Sequence, residues 1–395
     1  MAPALSLRVG RAALLAVALL LSLSPRAGAA PEELACNQQP GNRFFWLERA
    51  FCDLPTNGPE RANGVIIWNH GISGTTQSWM APAPPAFRLL QARGWDVIML
   101  KRHHAAEGDN ALYRTVQRTL DEAKAFRKAG YRKVVLAGQS FGGYVTLEAI
   151  DTSPDIDGAV ALAPGVRSGS ATGRLDASIT DQILQRAKVG RVALLFPKHD
   201  AVFNYIERGE SAQAVLSRRP LPYLLLDETS GITGHGGGHT GRFALRYGVC
   251  LADFLGAPNP PGTRFTCPPV ADESLIAREL LLPPPSERPT FVREGAGFPE
   301  PVGALIGLRW ALLGDSLVLV APVDGGAGRL RLMYRSTGFK GGVYDATVKD
   351  GAIRATLSNN ATVTLKPGGE GTITWTASDG SRSLDAPLTR DKDSD

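Results

Sequence analysis

The segment Gly138-Gln139-Ser140-Phe141-Gly142 constrains this chain more than any other. It follows the apolar run Val134-Val135-Leu136-Ala137 directly, and Phe141–Ile150 after it has helical character. A strand that turns into a helix around one serine crowds its own backbone. Small residues are needed on both sides of the turn, and glycine at 138 and 142 meets that need. Such a turn lifts the Ser140 hydroxyl clear of the sheet and directs the Phe141 N–H into the same space. It also demands helices packed on a sheet, so the flanking chain should alternate between buried strands and amphipathic helices.

That alternation runs from about residue 63 to residue 255. Strands are predicted at 65–68, 95–100, 134–137, 159–162, 192–196 and 222–226. Helices are predicted at 111–129, 141–150, 179–187 and 243–255. In the first helix Leu112, Val116, Leu120, Ala123 and Phe126 recur at helical spacing, and Gly130 stops it. The order implies an α/β fold with a doubly wound, mostly parallel sheet covered on both faces. Residues 257–302 are proline-rich, with Pro258, Pro260, Pro261 and Pro283-Pro284-Pro285, which predicts a semi-rigid connector. From residue 303 to 390 short alternating strands are separated by Asp324-Gly325-Gly326, Asp350-Gly351, Pro367-Gly368-Gly369 and Asp379-Gly380. These signals predict a small antiparallel all-β domain, sheet or barrel.

Residues 1–29 read as a signal peptide: Arg8 and Arg11, the apolar run Ala12–Leu23, then Ala27-Gly28-Ala29 as a cleavage site. The run is shorter than the ~20 residues of a membrane span, so no stable membrane insertion is expected. The rest of the chain is expected to be secreted or periplasmic. There the four cysteines Cys36, Cys52, Cys250 and Cys267 are expected to form disulfides. Four cysteines allow three connectivities, and sequential pairing closes two short local loops. The formal charge of +5 falls to +2 once Arg8, Arg11 and Arg26 are removed, leaving no electrostatic reason to expect nucleic acid as a partner.

Serine is a weak nucleophile until a base takes its proton, and the base must be oriented by a carboxylate. In a strand–G-x-S-x-G–helix fold the acid and the histidine follow the serine in the chain. Asp200 lies just past the predicted strand 192–196, at the carboxyl end where such sheets assemble their sites. Gly234-His235-Gly236-Gly237-Gly238-His239 then offers two histidines. His235, flanked by glycines and nearer the preceding strand, is the first choice as base, with His239 as the alternate. Asp227 and Glu228 are the reserve acids. The early loop His70-Gly71-Ile72-Ser73-Gly74 follows the strand 65–68. It can aim the Ile72 N–H at a developing oxyanion beside the Phe141 N–H. No cofactor or metal is called for, because no further carboxylate or cysteine cluster joins the two histidines.

Trp68-Asn69-His70-Gly71, Val135 through Gly143, the Asp200 turn and the His235/His239 loop together resemble the α/β-hydrolase superfamily over residues 60–256. They are most similar to its dienelactone-hydrolase-like and esterase members. The resemblance implies a catalytic domain over 30–256 and a serine hydrolase that cleaves carboxylic esters or related acyl compounds. Its substrate would be a small-molecule or polymeric acyl compound. A dienelactone hydrolase proper carries a cysteine nucleophile, and Ser140 departs from that. A peptidase or amidase with the same triad, or a non-catalytic binding protein on this scaffold, are the alternatives. The all-β domain carries no motif that names its partner.

Overall fold

The computed structural model describes residues 34–36, 38, 41–72, 78–106, 110–153, 155–165, 177–203, 206–258, 262–271, 276, 280–281, 298, 300–311, 316–322, 330–336, 339–381 and 383–390. The signal-peptide expectation, the Asp324-Gly325-Gly326 turn and most of the proline-rich stretch lie outside them.

Seven strands form the first sheet: β1 (Phe45–Arg49), β2 (Gly64–Asn69), β3 (Trp95–Arg102), β4 (Val134–Gln139), β5 (Gly158–Leu162), β6 (Val192–Leu195) and β7 (Tyr223–Leu226). Their order is β1-β3-β2-β4-β5-β6-β7. β1 pairs antiparallel with β3, Phe45 opposite Arg102. Every other neighbour is parallel. Register aligns the strand ends: Asn69 lies opposite Gly138, Gln139 opposite Leu162, and Leu195 opposite Leu226. The carboxyl ends of β2, β4, β5, β6 and β7 therefore share one rim.

Period-two alternation builds two cores, one on each face of the sheet. Ile66 and Trp68 of β2 join the cluster beneath α1 (Pro85–Ala92), whereas Val65 and Ile67 join the opposite cluster. That second face is covered by α2 (Ala111–Lys128), α3 (Phe141–Ile150), α4 (Ala177–Arg186) and α5 (Ile206–Leu216). Val116, Ala123 and Phe126 of α2 are buried there, with Leu112 and Leu120 packed beside them. Nine of the ten α3 residues are buried, so the helix that follows Ser140 runs through the core. The last helical stretch of this unit is Gly241–Phe243, a π-helical turn at Ala244–Gly248 and α6 (Val249–Gly256).

Two disulfides join Cys36 to Cys52 and Cys250 to Cys267. Each closes a short loop and contributes roughly 3 kcal/mol by restricting the unfolded chain. The second holds the start of the proline-rich stretch against α6. Beside it the Tyr223 N–H donates to the Thr263 carbonyl and the Phe265 N–H to the Tyr223 carbonyl. These bonds satisfy part of the β7 edge, which otherwise presents open pairing groups.

The second unit is a closed antiparallel barrel of eight strands: β8 (Gly307–Ala311), β9 (Ser316–Pro322), β10 (Leu330–Ser336), β11 (Phe339–Lys349), β12 (Ala352–Thr356), β13 (Thr362–Lys366), β14 (Thr372–Thr376) and β15 (Ser383–Arg390). Each strand pairs with its chain neighbour, and β15 closes the ring on β8. Of the two forms predicted, sheet or barrel, the barrel forms. Its interior is packed with Leu332, Ile353, Val363, Leu365 and Leu388. Asp350 and Gly351, both with positive φ, make the tight turn from β11 to β12. Met333 of β10 packs with Leu280 and Leu281 into the core cluster of the first unit.

Candidate active site

The elbow at the end of β4 is built from backbone crowding. A Cβ on Gly138 would lie 2.2 Å from the Gly142 carbonyl oxygen, and one on Gly142 would lie 2.0 Å from the Asn69 carbonyl oxygen. No side chain fits at either place, so the motif's two glycines are steric requirements. Between them Ser140 adopts φ 55° and ψ −121°, a conformation an L-residue adopts only under constraint. The constraint is visible: the Ser140 N–H donates to the Leu162 carbonyl, and the Ser140 carbonyl accepts from the Tyr144 and Gly165 N–H groups. Backbone strain here fixes a side chain's direction.

Ser140 Oγ lies 2.9 Å from His235 Nε2, and His235 Nδ1 lies 2.9 Å from Asp200 Oδ2. The three residues come from the ends of β4, β6 and the loop after β7, which the register has brought to one rim. The other Asp200 oxygen accepts from the Val202 and Phe203 N–H groups at 2.8 and 3.1 Å. Burial by itself would raise the Asp200 pKa. The hydrogen bond from His235 and those two N–H groups outweigh it and hold the carboxyl below its ordinary range. An ionised Asp200 accepting from Nδ1 requires the Nδ1–H tautomer, which leaves Nε2 free to accept the serine proton.

His235 is steered from two further sides. The Phe203 ring meets the imidazole edge-on at 5.4 Å. Gln139, buried beside the serine, donates from Nε2 to the His235 carbonyl at 3.0 Å. Sequence reading missed Gln139 because its partner lies 96 residues further along the chain. Below the acid, buried Arg208 donates to the Pro164 carbonyl at 2.6 Å and stacks between the Phe196 and Phe203 rings. Burial lowers the Arg208 pKa to about 10, which leaves it charged.

The alternate histidine is elsewhere. His239 lies against Trp68, ring centroids 5.5 Å apart. Burial, then the proximity of His235, lowers its pKa to about 4, so it stays neutral at pH 7. Thr240 next to it accepts from the Phe243 N–H and caps the following helix. The reserve acid Asp227 is engaged by Thr229 and Arg264. His199 is exposed with φ 57°.

Of the two residues expected to supply oxyanion N–H groups, Phe141 follows Ser140 directly, and Ile72 follows Gly71 in the loop after β2. Ile72 is 40% exposed, whereas Phe141 is buried as the first residue of α3. Gly71 lies against the elbow, because a Cβ on it would be 3.4 Å from Ser140 Cβ and 3.0 Å from Gln139 Oε1. His70 is fully buried and donates from Nδ1 to the Gly71 carbonyl at 2.7 Å. Among the described residues, no group of three or more His, Cys, Asp or Glu side chains could hold a metal ion.

A parallel sheet with one antiparallel edge strand, a glycine-bounded serine turn and a rim-assembled Ser–His–Asp chain define an α/β hydrolase by fold. The alpha/beta hydrolase family model matches residues 65–230, and this part of the chain has the α/β-hydrolase fold. Solved structures with a similar fold include three hydrolases. An esterase from Pyrococcus furiosus shares 14% identity, covering 57% of this chain and 98% of that chain, with a TM-score of 0.41. An S-formylglutathione hydrolase from Staphylococcus aureus shares 15% identity, covering 49% and 82%, with a TM-score of 0.36. Est1E from Butyrivibrio proteoclasticus shares 14% identity, covering 54% and 90%, with a TM-score of 0.36. No curated protein matches the chain.

Proposed function

We propose that this protein is a secreted or periplasmic serine hydrolase that cleaves carboxylic esters or related acyl compounds. The observation that carries the reading is the unbroken hydrogen-bonded chain from Ser140 through His235 to Asp200, each link 2.9 Å. His235 Nε2 takes the Ser140 proton as Oγ attacks the acyl carbonyl carbon. The carbonyl oxygen becomes an oxyanion that accepts from the Ile72 and Phe141 N–H groups. His235 then protonates the leaving alcohol as its bond to carbon breaks, and Ser140 carries the acyl group. A water molecule gives a proton to His235, attacks the acyl carbon and releases the acid, returning the proton to Ser140. Asp200 holds the imidazole tautomer and stabilises the imidazolium in each half-reaction.

Two disulfides and the apolar run preceding Ala27-Gly28-Ala29 support export from the cytoplasm. Among the described residues no helix is long and apolar enough to cross a membrane. The substrate class is tested by comparing p-nitrophenyl esters of increasing acyl length with aminoacyl p-nitroanilides. Turnover of the esters and not of the anilides is expected. The opposite preference would assign the same triad to amide cleavage.

A further inference from the structure

The chain from Ser140 to Asp200 does not involve the buried arginine that ends β3. Arg102 is 1% exposed. Its Nη2 donates to the Gly71 carbonyl at 3.1 Å and to the His70 carbonyl at 3.4 Å. The same guanidinium lies over the Phe141 ring, 4.6 Å from the centroid. The Arg102 backbone N–H donates to His70 Nε2 at 2.9 Å, which leaves the His70 proton on Nδ1, the atom that donates to Gly71. Burial, and then the Arg102 charge, push the His70 pKa well below its ordinary value, so the imidazole stays neutral in that role.

The consequence is geometric. In a trans peptide the carbonyl and the following N–H point in opposite directions. Two donors, Arg102 and His70, hold the Gly71 carbonyl, which turns the Ile72 N–H away from them. Gly71 itself abuts Ser140. Phe141, whose ring the guanidinium covers, carries the other N–H beside the serine. One buried side chain thus touches the Gly71 carbonyl on one side of the nucleophile and the Phe141 ring on the other.

We propose that Arg102 is the positioning residue of the oxyanion hole, holding the Gly71–Ile72 peptide by hydrogen bond and Phe141 by stacking so that both N–H groups converge on the tetrahedral oxyanion. This inference rests on the reading of Ser140 as an acyl-transfer nucleophile. A lysine would not replace it: an ammonium can reach one carbonyl but has no plane to lay on the ring.

The test compares wild type, Arg102→Lys, Arg102→Met and Ser140→Ala on one p-nitrophenyl ester, with folding checked by circular dichroism and thermal melting. Losing one oxyanion donor costs ~10²–10³-fold in kcat. Mis-aiming the donors should cost somewhat less, about 10–100-fold, with KM changed less than about threefold. Inhibition by phenylboronic acid, which forms a tetrahedral adduct on the serine, should weaken in parallel with kcat/KM, a correlation a merely structural role would not produce. Arg102→Lys should behave like Arg102→Met. If either arginine variant fails to fold, Phe141→Leu, which removes the ring and keeps the N–H, should show a smaller kcat-selective loss. Wild-type kcat in folded Arg102→Met, a loss confined to KM, or unchanged boronate affinity would overturn the inference. A fully active Ser140→Ala would instead overturn the acyl-transfer reading beneath it.

Discussion

The two units use the left-handed backbone region for different ends. In the hydrolase sheet, Ser140, Ala163 and His199 have φ of 55°, 44° and 57°, and they follow β4, β5 and β6 at the same rim. Among the described residues of the barrel, the non-glycine residues with positive φ are Asp350 and Asn360, both in hairpin turns. Buried polar groups lean the same way. Asn69, His70, Arg102, Gln139, Asp200 and Arg208 lie at or near the rim, although Asp96 is buried at the opposite end of β3, while among the described residues of the barrel Arg309 is the buried polar side chain and the interior cluster is apolar. Asp and Asn are residues that adopt positive φ readily in tight turns, and there they simply reverse the chain. Strain and buried polarity that coincide at one rim mark a place where stability is given up to aim side chains. The lesson is that the sheet is organised around a site, and the barrel around its own closure.

Substitutions at the rim should therefore hurt activity more than stability, and those in barrel turns the reverse. The largest effect is expected at His235. His235→Ala should lower kcat by about 10⁴-fold or more while the protein melts normally, because triad members act as a unit. Next is Gly142→Ala. Its Cβ would collide with the Asn69 carbonyl at the end of β2, so it should cost ~1–3 kcal/mol and move the elbow, lowering kcat as well. His239→Gln should leave kcat within about tenfold of wild type. Its effect belongs to acid stability. With a folded pKa near 4, His239 refuses a proton that the unfolded chain binds below its ordinary value of 6.5. Folding stability should fall as pH drops from about 6.5 toward 4, and His239→Gln should flatten that fall in urea midpoints measured across the range. The smallest effect is expected at Gly351→Ala in the barrel hairpin. Open space surrounds that Cβ, so only the φ of 72° opposes it, a cost of ~1–2 kcal/mol with no change in kcat. A large activity loss at Gly351, or none at Gly142, would break the contrast.

Local pattern made most of the sheet legible. The six predicted strands of the alternating region appear as β2 to β7, because buried parallel strands read as continuous apolar runs. β1 escaped: Phe-Trp-Leu-Glu-Arg is short, and only its pairing with β3 makes it a strand. α1 and α5 were also missed, the first being a short helix that starts at a proline pair. In the barrel the turn signals were readable, but closure depends on β15 finding β8 across some 75 residues, which no local pattern encodes. The site divides in the same manner. Ser140, Asp200 and a histidine could be named from chain order, and the structure brings Ser140, Asp200 and His235 within hydrogen-bond reach. The choice between His235 and His239 hung on the path of a glycine-rich loop. Gln139 and Arg102 carried no signal, since the hydrogen-bond partners of each lie far away in the sequence.

The central claim is that the rim exists to make Ser140 a nucleophile. Reaction with a fluorophosphonate tests it most directly, because phosphonylation needs an activated serine and no knowledge of the natural substrate. The intact protein is expected to take up one label, mapped by mass spectrometry to the peptide containing Ser140, with labelling abolished in Ser140→Ala and strongly slowed in His235→Ala. Labelling at another serine, or no labelling of the folded wild-type protein, would contradict the account.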